Sequence, residues 1–203
     1  MPKNFLAKIL IIVAILLGLF ALGSGLFYFD NDESDSGLSL VNDALPTQSG
    51  PISPEELPSR LIIPKLEVDA EVQRLGVTST GNMAAPDNFT DVSWYKYGTV
   101  PGRRGSAVMA GHEDNAISLP GVFYDLHKLE IGDDIYVTRE DGERLHFRVV
   151  EEVVYAYDDP EPLTKIFNRD DGTYLNLITC AGDWVESAKT NDKRLVIYAK
   201  LVE

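Results

Sequence analysis

The chain beyond residue 58 predicts an all-β domain, a closed barrel or a sandwich. Most of its periodic segments alternate apolar and polar side chains with period two, or are short β-branched runs. Turn dipeptides punctuate them at Thr80-Gly81, Pro101-Gly102, Gly132-Asp133, Asp141-Gly142 and Asp171-Gly172. Helical patterns are few and short, and many short strands with few helices in one domain indicate a barrel or sandwich.

Residues 1–8 carry Lys3 and Lys8 and predict a short cytoplasmic N-terminus. From Ile9 to Phe29 no side chain is charged and nearly every one is apolar. A helix of ~20 residues spans a bilayer core of ~30 Å, so residues 9–29 predict a transmembrane anchor. Lysines precede it and Asp30, Asp32, Glu33 and Asp35 follow. Positive residues stay on the cytoplasmic side, which puts the N-terminus inside and the rest outside the cell membrane. A cleaved secretory signal is the alternative, with Ala21-Leu-Gly23 as its small-residue site. The apolar run exceeds the ~7–15 residues of a signal core, which favours an uncleaved anchor.

Residues 30–58 are rich in Ser, Asp, Asn, Gly and Pro and read as a flexible linker. Residues 59–203, about 145 in all, suit one domain. Within it, strands are predicted at Arg60–Ile63, Glu67–Arg74, Ser106–Gly111, Asp134–Arg139, Glu143–Tyr157, Tyr174–Cys180 and Arg194–Val202, with a short one near Gly81–Ala84. Asp141-Gly142 is a two-residue hairpin signal. Helical pieces are predicted at Asn88–Tyr95, Phe123–Leu129 and Pro162–Phe167. No repeat of 20–50 residues is present.

The net charge is −14, with 18 basic and 32 acidic residues. Two of the basic residues precede the apolar segment and no acidic one does, so the exported part carries 16 against 32, net −16. Nucleic acid is therefore not a partner, because phosphate binding needs a basic face. Acidic groups such as Asp158, Asp159 and Glu161, or Asp170 and Asp171, raise Ca²⁺ as a ligand, but none has the spacing of a defined calcium loop, and solvated acidic turns are the default.

Cys180 is the only cysteine, so it forms no internal disulfide. A buried core thiol, a reactive group and an intermolecular crosslink remain open from the residue alone. It ends the strand-like Tyr174-Leu-Asn-Leu-Ile-Thr-Cys180. His112 stands at the end of Ser106-Ala-Val-Met-Ala-Gly111 and Arg194 opens Leu195-Val-Ile-Tyr-Ala199. A thiolate is a nucleophile, an imidazole takes and gives a proton near neutral pH, and a guanidinium stays charged and holds an oxyanion. Together they suffice for acyl transfer through a thioester. Taken singly, His112 reads first as a turn residue and Arg194 as a surface cation.

Leu177-Ile-Thr-Cys180 resembles the signature of sortases, the surface cysteine transpeptidases of bacteria. Ala110-Gly-His112 resembles their histidine strand end, and the Arg194 strand their arginine strand. The order His, Cys, Arg matches. The resemblance runs over Ile62–Val202 and includes Trp94-Tyr95, Gly98, Pro101-Gly102, Gly105-Ser-Ala-Val108, Phe123-Tyr124-Asp-Leu126 and Gly132-Asp133. It is nearest the class F and class E-like branches. Asn176 stands where the best-known form of the signature has threonine.

The resemblance implies a closed eight-stranded sortase-type β-barrel, with His112 after the fourth strand, Cys180 ending the seventh and Arg194 on the eighth. It implies cleavage of a Leu-Pro-x-Thr-Gly-like sorting motif between Thr and Gly. Cys180 is then the nucleophile, His112 the general acid/base and Arg194 the substrate and oxyanion stabiliser. Thr179 and Trp184 are further substrate-binding candidates. The implied partners are surface proteins bearing the motif and an amine acceptor such as a peptidoglycan precursor or a pilin lysine, with no cofactor and no metal. A thiol peptide hydrolase of the same fold, and a non-enzymatic exported binding module with a buried cysteine, are the alternatives. Leu45-Pro-Thr-Gln-Ser-Gly50 begins like a sorting motif but has Gln48-Ser49 where Thr-Gly is needed, so it reads as linker, with a regulatory pseudo-substrate as the other reading.

Overall fold

A computed structural model describes residues 51–79, 81–114 and 119–203. The predicted cytoplasmic segment, the anchor at 9–29 and the linker up to residue 50 lie outside the described residues. The remainder of the linker runs along the domain. Ser53 and Glu56 form a capping box around a 3₁₀ turn at Pro54–Glu56, and Arg103 reaches both the Glu56 carboxylate at 2.7 Å and the Pro51 carbonyl at 3.0 Å.

Eight strands follow: β1 (Pro58–Ile63), β2 (Val68–Leu75), β3 (Val92–Tyr95), β4 (Gly105–Ala110), β5 (Asp134–Arg139), β6 (Arg144–Ala156), β7 (Thr173–Val185) and β8 (Thr190–Leu201). They close into a barrel in the order β1-β2-β3-β4-β7-β8-β6-β5. The pairs β2–β3 and β4–β7 are parallel and the others antiparallel. One helical turn, α1 (Leu163–Phe167), lies between β6 and β7.

Alternation along the strands sorts side chains to two sides of the barrel wall. Leu175 and Leu177 of β7 join Leu195, Ile197 and Ala199 of β8 in the interior, with Leu61, Trp94, Met109 and Phe147. The intervening Val196 and Tyr198 are also buried, because an outer cluster with Val108 and Ile166 covers them. A strand buried on both faces reads as a continuous apolar run, which is why Leu195–Ala199 lacks alternation.

Three predicted elements differ. The helix expected over Asn88–Tyr95 is an Asx turn followed by β3. The Asn88 Oδ1 accepts from the Thr90 and Asp91 N–H groups at 3.0 and 2.8 Å, which holds the chain out of a helix. Val92–Tyr95 then pairs with β2 and β4 on either side, and its β-branched and aromatic side chains suit a strand. The short strand expected near Gly81–Ala84 reduces to a single bridge between Val77 and Met83. The Phe123–Leu129 helix is a series of turns ending in a 3₁₀ turn at Leu126–Lys128.

Candidate active site

Cys180 and Arg194 are direct partners across the antiparallel β7–β8 pair. Strand parity puts both on the outer face, in line with Ile178 on β7 and Val196 on β8, both of the outer cluster. β7 does not end at Cys180. It continues to Val185 through a bulge between Ala181 and Trp184, where Gly182 takes φ +78°. A Cβ there would also strike the Asp192 carboxylate, whose Oδ1 accepts the Asp183 N–H at 2.8 Å. The bulge raises local twist and ends the regular ladder just past the thiol.

His112 arrives from the neighbouring strand. β4 and β7 run parallel, and Ala110 pairs with Ile178. The Gly111 N–H continues that ladder to the Ile178 carbonyl at 3.2 Å. The Thr179 hydroxyl, 5% exposed, donates to the Gly111 carbonyl at 2.8 Å. Extending the register by two residues sets the His112 backbone level with Cys180, beside the Cys180–Arg194 pair.

The imidazole is oriented by residues distant in sequence. His112 Nε2 lies 3.1 Å from the Pro86 carbonyl. A carbonyl only accepts, so Nε2 carries hydrogen and Nδ1 is the nitrogen left to exchange a proton. The Phe89 ring packs on the imidazole with centroids 4.7 Å apart. Behind it, Phe123 N–H donates to the His112 carbonyl at 2.9 Å and Gly121 N–H to the Glu113 carbonyl at 2.8 Å. Any side chain at Gly121 would collide with the His112 backbone.

Arg194 is held by its own hairpin. Nη1 donates to the Asn191 and Lys193 carbonyls at 3.0 and 2.7 Å, and Nη2 to Thr190 Oγ1 at 2.7 Å. Burial pushes the Cys180 thiol above its ordinary pKa. The Arg194 charge and a hydrogen bond from Thr190 oppose that rise, while Glu113 and Asp114 add to it. Burial and the Asp114 charge also push the Glu113 carboxyl up.

An apolar cavity of about 770 Å³ lies on the same outer side, lined by Val77, Met83, Tyr95, Tyr97, Leu163 and Phe167 among others. Met83, Tyr95 and Phe167 also pack against the outer cluster that contains Ile178 and Val196. Trp184 stands 59% exposed on the hairpin beyond Cys180, with its indole N–H on Glu186 at 2.8 Å. Thr179, in contrast, is committed to Gly111 and ties the histidine strand to the cysteine strand.

Among the described residues no three His, Cys, Asp or Glu side chains form a metal cluster. Asp159 Oδ1 accepts the Glu161 N–H at 2.9 Å, and Asp171 binds Arg169 at 2.8 Å. Sequence reasoning missed Thr190, Pro86 and Phe89. Glu113 and Asp114 adjoin His112 in the chain, and that adjacency was the available signal.

A family model described as the sortase domain matches residues 61–202. The chain belongs to the sortase family. It is a sortase-type cysteine transpeptidase. No curated protein sequence matches the chain. Among solved structures it is similar to sortase C from Clostridium perfringens SM101, at 19% identity over 72% of this chain and 70% of that one, with a TM-score of 0.53. It is also similar to sortase C1 from Streptococcus suis, at 23% identity over 73% and 74%, TM-score 0.55. A lid mutant of sortase A from Corynebacterium diphtheriae aligns at 21% identity over 72% and 70%, TM-score 0.55. At these identities the likeness supports the sortase barrel, and the residues of this chain must carry the chemistry.

Proposed function

We propose that this sortase cleaves a Leu-Pro-x-Thr-Gly-like sorting motif between Thr and Gly and transfers the threonyl carbonyl to an amino nucleophile. The observation that carries the reading is the convergence of β4, β7 and β8 on one outer face, with Cys180 opposite Arg194 and level with His112. The Cys180 thiolate adds to the threonyl carbonyl carbon, and a sulfur–carbon bond forms. The carbonyl oxygen takes the displaced electron pair. Arg194, with Thr190 steadying its guanidinium, supplies positive charge to that oxyanion. The carbon–nitrogen bond then breaks, and His112 gives its Nδ1 proton to the departing glycine amine. An incoming amine gives a proton back to His112 as it attacks the thioester, and the thiolate leaves. No redox step or cofactor enters.

The cavity beside α1 suits the leucyl and prolyl side chains that precede the scissile bond, since its walls are aliphatic and aromatic. We assign Trp184, exposed beyond the thiol, to packing on substrate, and Thr179 to acting through its bond to Gly111. We read residues 9–29 as a membrane anchor with the catalytic domain outside the cell. Partners are then surface proteins bearing the motif, and an acceptor amine from a peptidoglycan precursor or a pilin lysine. The nearest branches by residue pattern are class F and class E-like. Incubating the chain with a Leu-Pro-x-Thr-Gly peptide and a saturating amine tests the reaction. The expected product is the amide of the added amine. A product carrying water in place of the amine assigns the chain to peptide hydrolysis.

A further inference from the structure

We propose that Asn176 is a positioning residue for the transpeptidation, fixing α1 to the strand that carries Cys180 and thereby setting how tightly the peptide binds. The proposal rests on the reading of the cavity as the place of the residues before the scissile bond. Leu163 and Phe167 of α1, with the adjoining Asn168, form one wall of that cavity. The facing wall includes Met83 and Tyr95, which pack against the same outer cluster as Ile178, on the face of β7 that carries Cys180. Whatever holds α1 against β7 therefore holds the distance between the peptide's apolar side chains and the thiol.

α1 cannot hold itself. It has five residues, and its N-cap Pro162 makes no side-chain capping bond. A single helical turn is far below the ~12–15 residues at which an isolated helix becomes marginally stable. Its position depends on tertiary ties. Lys165 pairs with Glu151 at 2.5 Å and lies over the Tyr198 ring at 4.6 Å, but both members of the ion pair are about two-fifths exposed. Such pairs contribute little. Phe167 meets the Tyr95 ring edge-on at 5.5 Å, which ties α1 to β3 and not to β7.

Asn176 supplies a buried polar tie to β7. It is fully buried on the outer face of the strand, in line with Ile178 and Cys180. Its Nδ2 donates to the Ile166 carbonyl at 2.6 Å. Ile166 lies in the last turn of α1, where carbonyls have no partner within the helix. The other end of the Asn176 amide, Oδ1, is buried with no partner. Burying an unpaired acceptor is unfavourable, so a position that needed only packing would hold an apolar residue. The donor is what this position uses.

The test is steady-state transfer of a Leu-Pro-x-Thr-Gly peptide by the full chain, read together with hydrogen exchange over residues 163–168 and iodoacetamide labelling of Cys180. Asn176→Leu keeps the volume and removes the donor. The expected result is faster exchange over α1 and a KM raised about tenfold, the size of one lost buried hydrogen bond, with kcat within about twofold. The Cys180 labelling rate stays at the wild-type value. Asn176→Gln, which retains the amide on a longer side chain, recovers part of the KM. Should Asn176→Leu not fold, Asn176→Ser, small and without the amide, is read in the same way. Unchanged exchange over α1, or loosened α1 with unchanged KM, overturns the proposal. A wild-type chain that leaves the peptide intact overturns the reading of the cavity itself, and the role of Asn176 with it.

Discussion

The Thr179 hydroxyl lies 2.8 Å from the Gly111 carbonyl, joining the residue before Cys180 to the residue before His112. β4 ends at Ala110 and the Gly111 N–H extends its ladder by one bond, to the Ile178 carbonyl; the Thr179 hydroxyl adds a further tie beside His112. Thr179→Val keeps the shape and strands a buried carbonyl. Chemical denaturation is expected to show a loss of about 1–3 kcal/mol. Turnover falls with the imidazole displaced, and Thr179→Ser retains both. A Thr179→Val protein of wild-type stability and turnover removes the clamp from the account.

The charges around the thiol act in opposite directions. Arg194 favours the thiolate, and Glu113 and Asp114 disfavour it. A raised thiol pKa means that the reactive anion appears above the ordinary value of about 8.5. The rate of Cys180 alkylation against pH is therefore expected to rise with a midpoint on the alkaline side. Glu113→Gln and Asp114→Asn each move that midpoint down, because a repelling charge is gone. Arg194→Ala moves it up. Shifts of the opposite sign contradict the assigned electrostatics.

Removing the imidazole of His112 tests its proposed part in proton transfer. His112→Ala is expected to lower kcat by about 10²–10⁴-fold. Far-ultraviolet circular dichroism and Cys180 labelling are expected to match the wild type, which separates lost chemistry from lost fold. Wild-type turnover in this variant would take His112 out of the chemistry.

The inner face of β7 packs into the barrel core. Leu177 is fully buried in the barrel interior, one face away from Ile178. Leu177→Ala is expected to destabilise by about 2–5 kcal/mol, measured by thermal or urea unfolding. At temperatures where the variant stays folded, its KM for the sorting peptide is close to that of the wild type. A large KM change would show that the two faces of the strand are not independent.

Much of the barrel was legible because its strands obey local rules. The Asp141-Gly142 signal marks the β5–β6 hairpin, but the loop is Glu140-Asp141-Gly142: Arg139 N–H donates to the Glu143 carbonyl at 2.9 Å, Gly142 N–H to the Arg139 carbonyl at 3.0 Å, and Gly142 alone in the loop takes positive φ, +84°. The Leu195–Ala199 run betrayed a strand covered on both sides. β3 was misread because Asn88 and Asp91 sit ahead of a four-residue strand, too short to show a period. Cys180, His112 and Arg194 each lie in or beside a recognisable strand, and the resemblance carried their pairing. Pro86, Phe89 and Thr190 were invisible. A backbone carbonyl that orients an imidazole leaves no mark in side-chain identity. A threonine in a hairpin becomes informative only when the arginine four residues on folds back onto it, at 2.7 Å.

Intact-mass spectrometry of the chain mixed with a Leu-Pro-x-Thr-Gly peptide, quenched in acid to preserve thioesters, tests the chemistry most directly. The predicted result is a mass gain equal to the Leu-Pro-x-Thr acyl fragment, located on Cys180 by fragmentation and released by hydroxylamine. Peptide turnover that persists in a Cys180→Ala chain, or an adduct on any other residue, would contradict it.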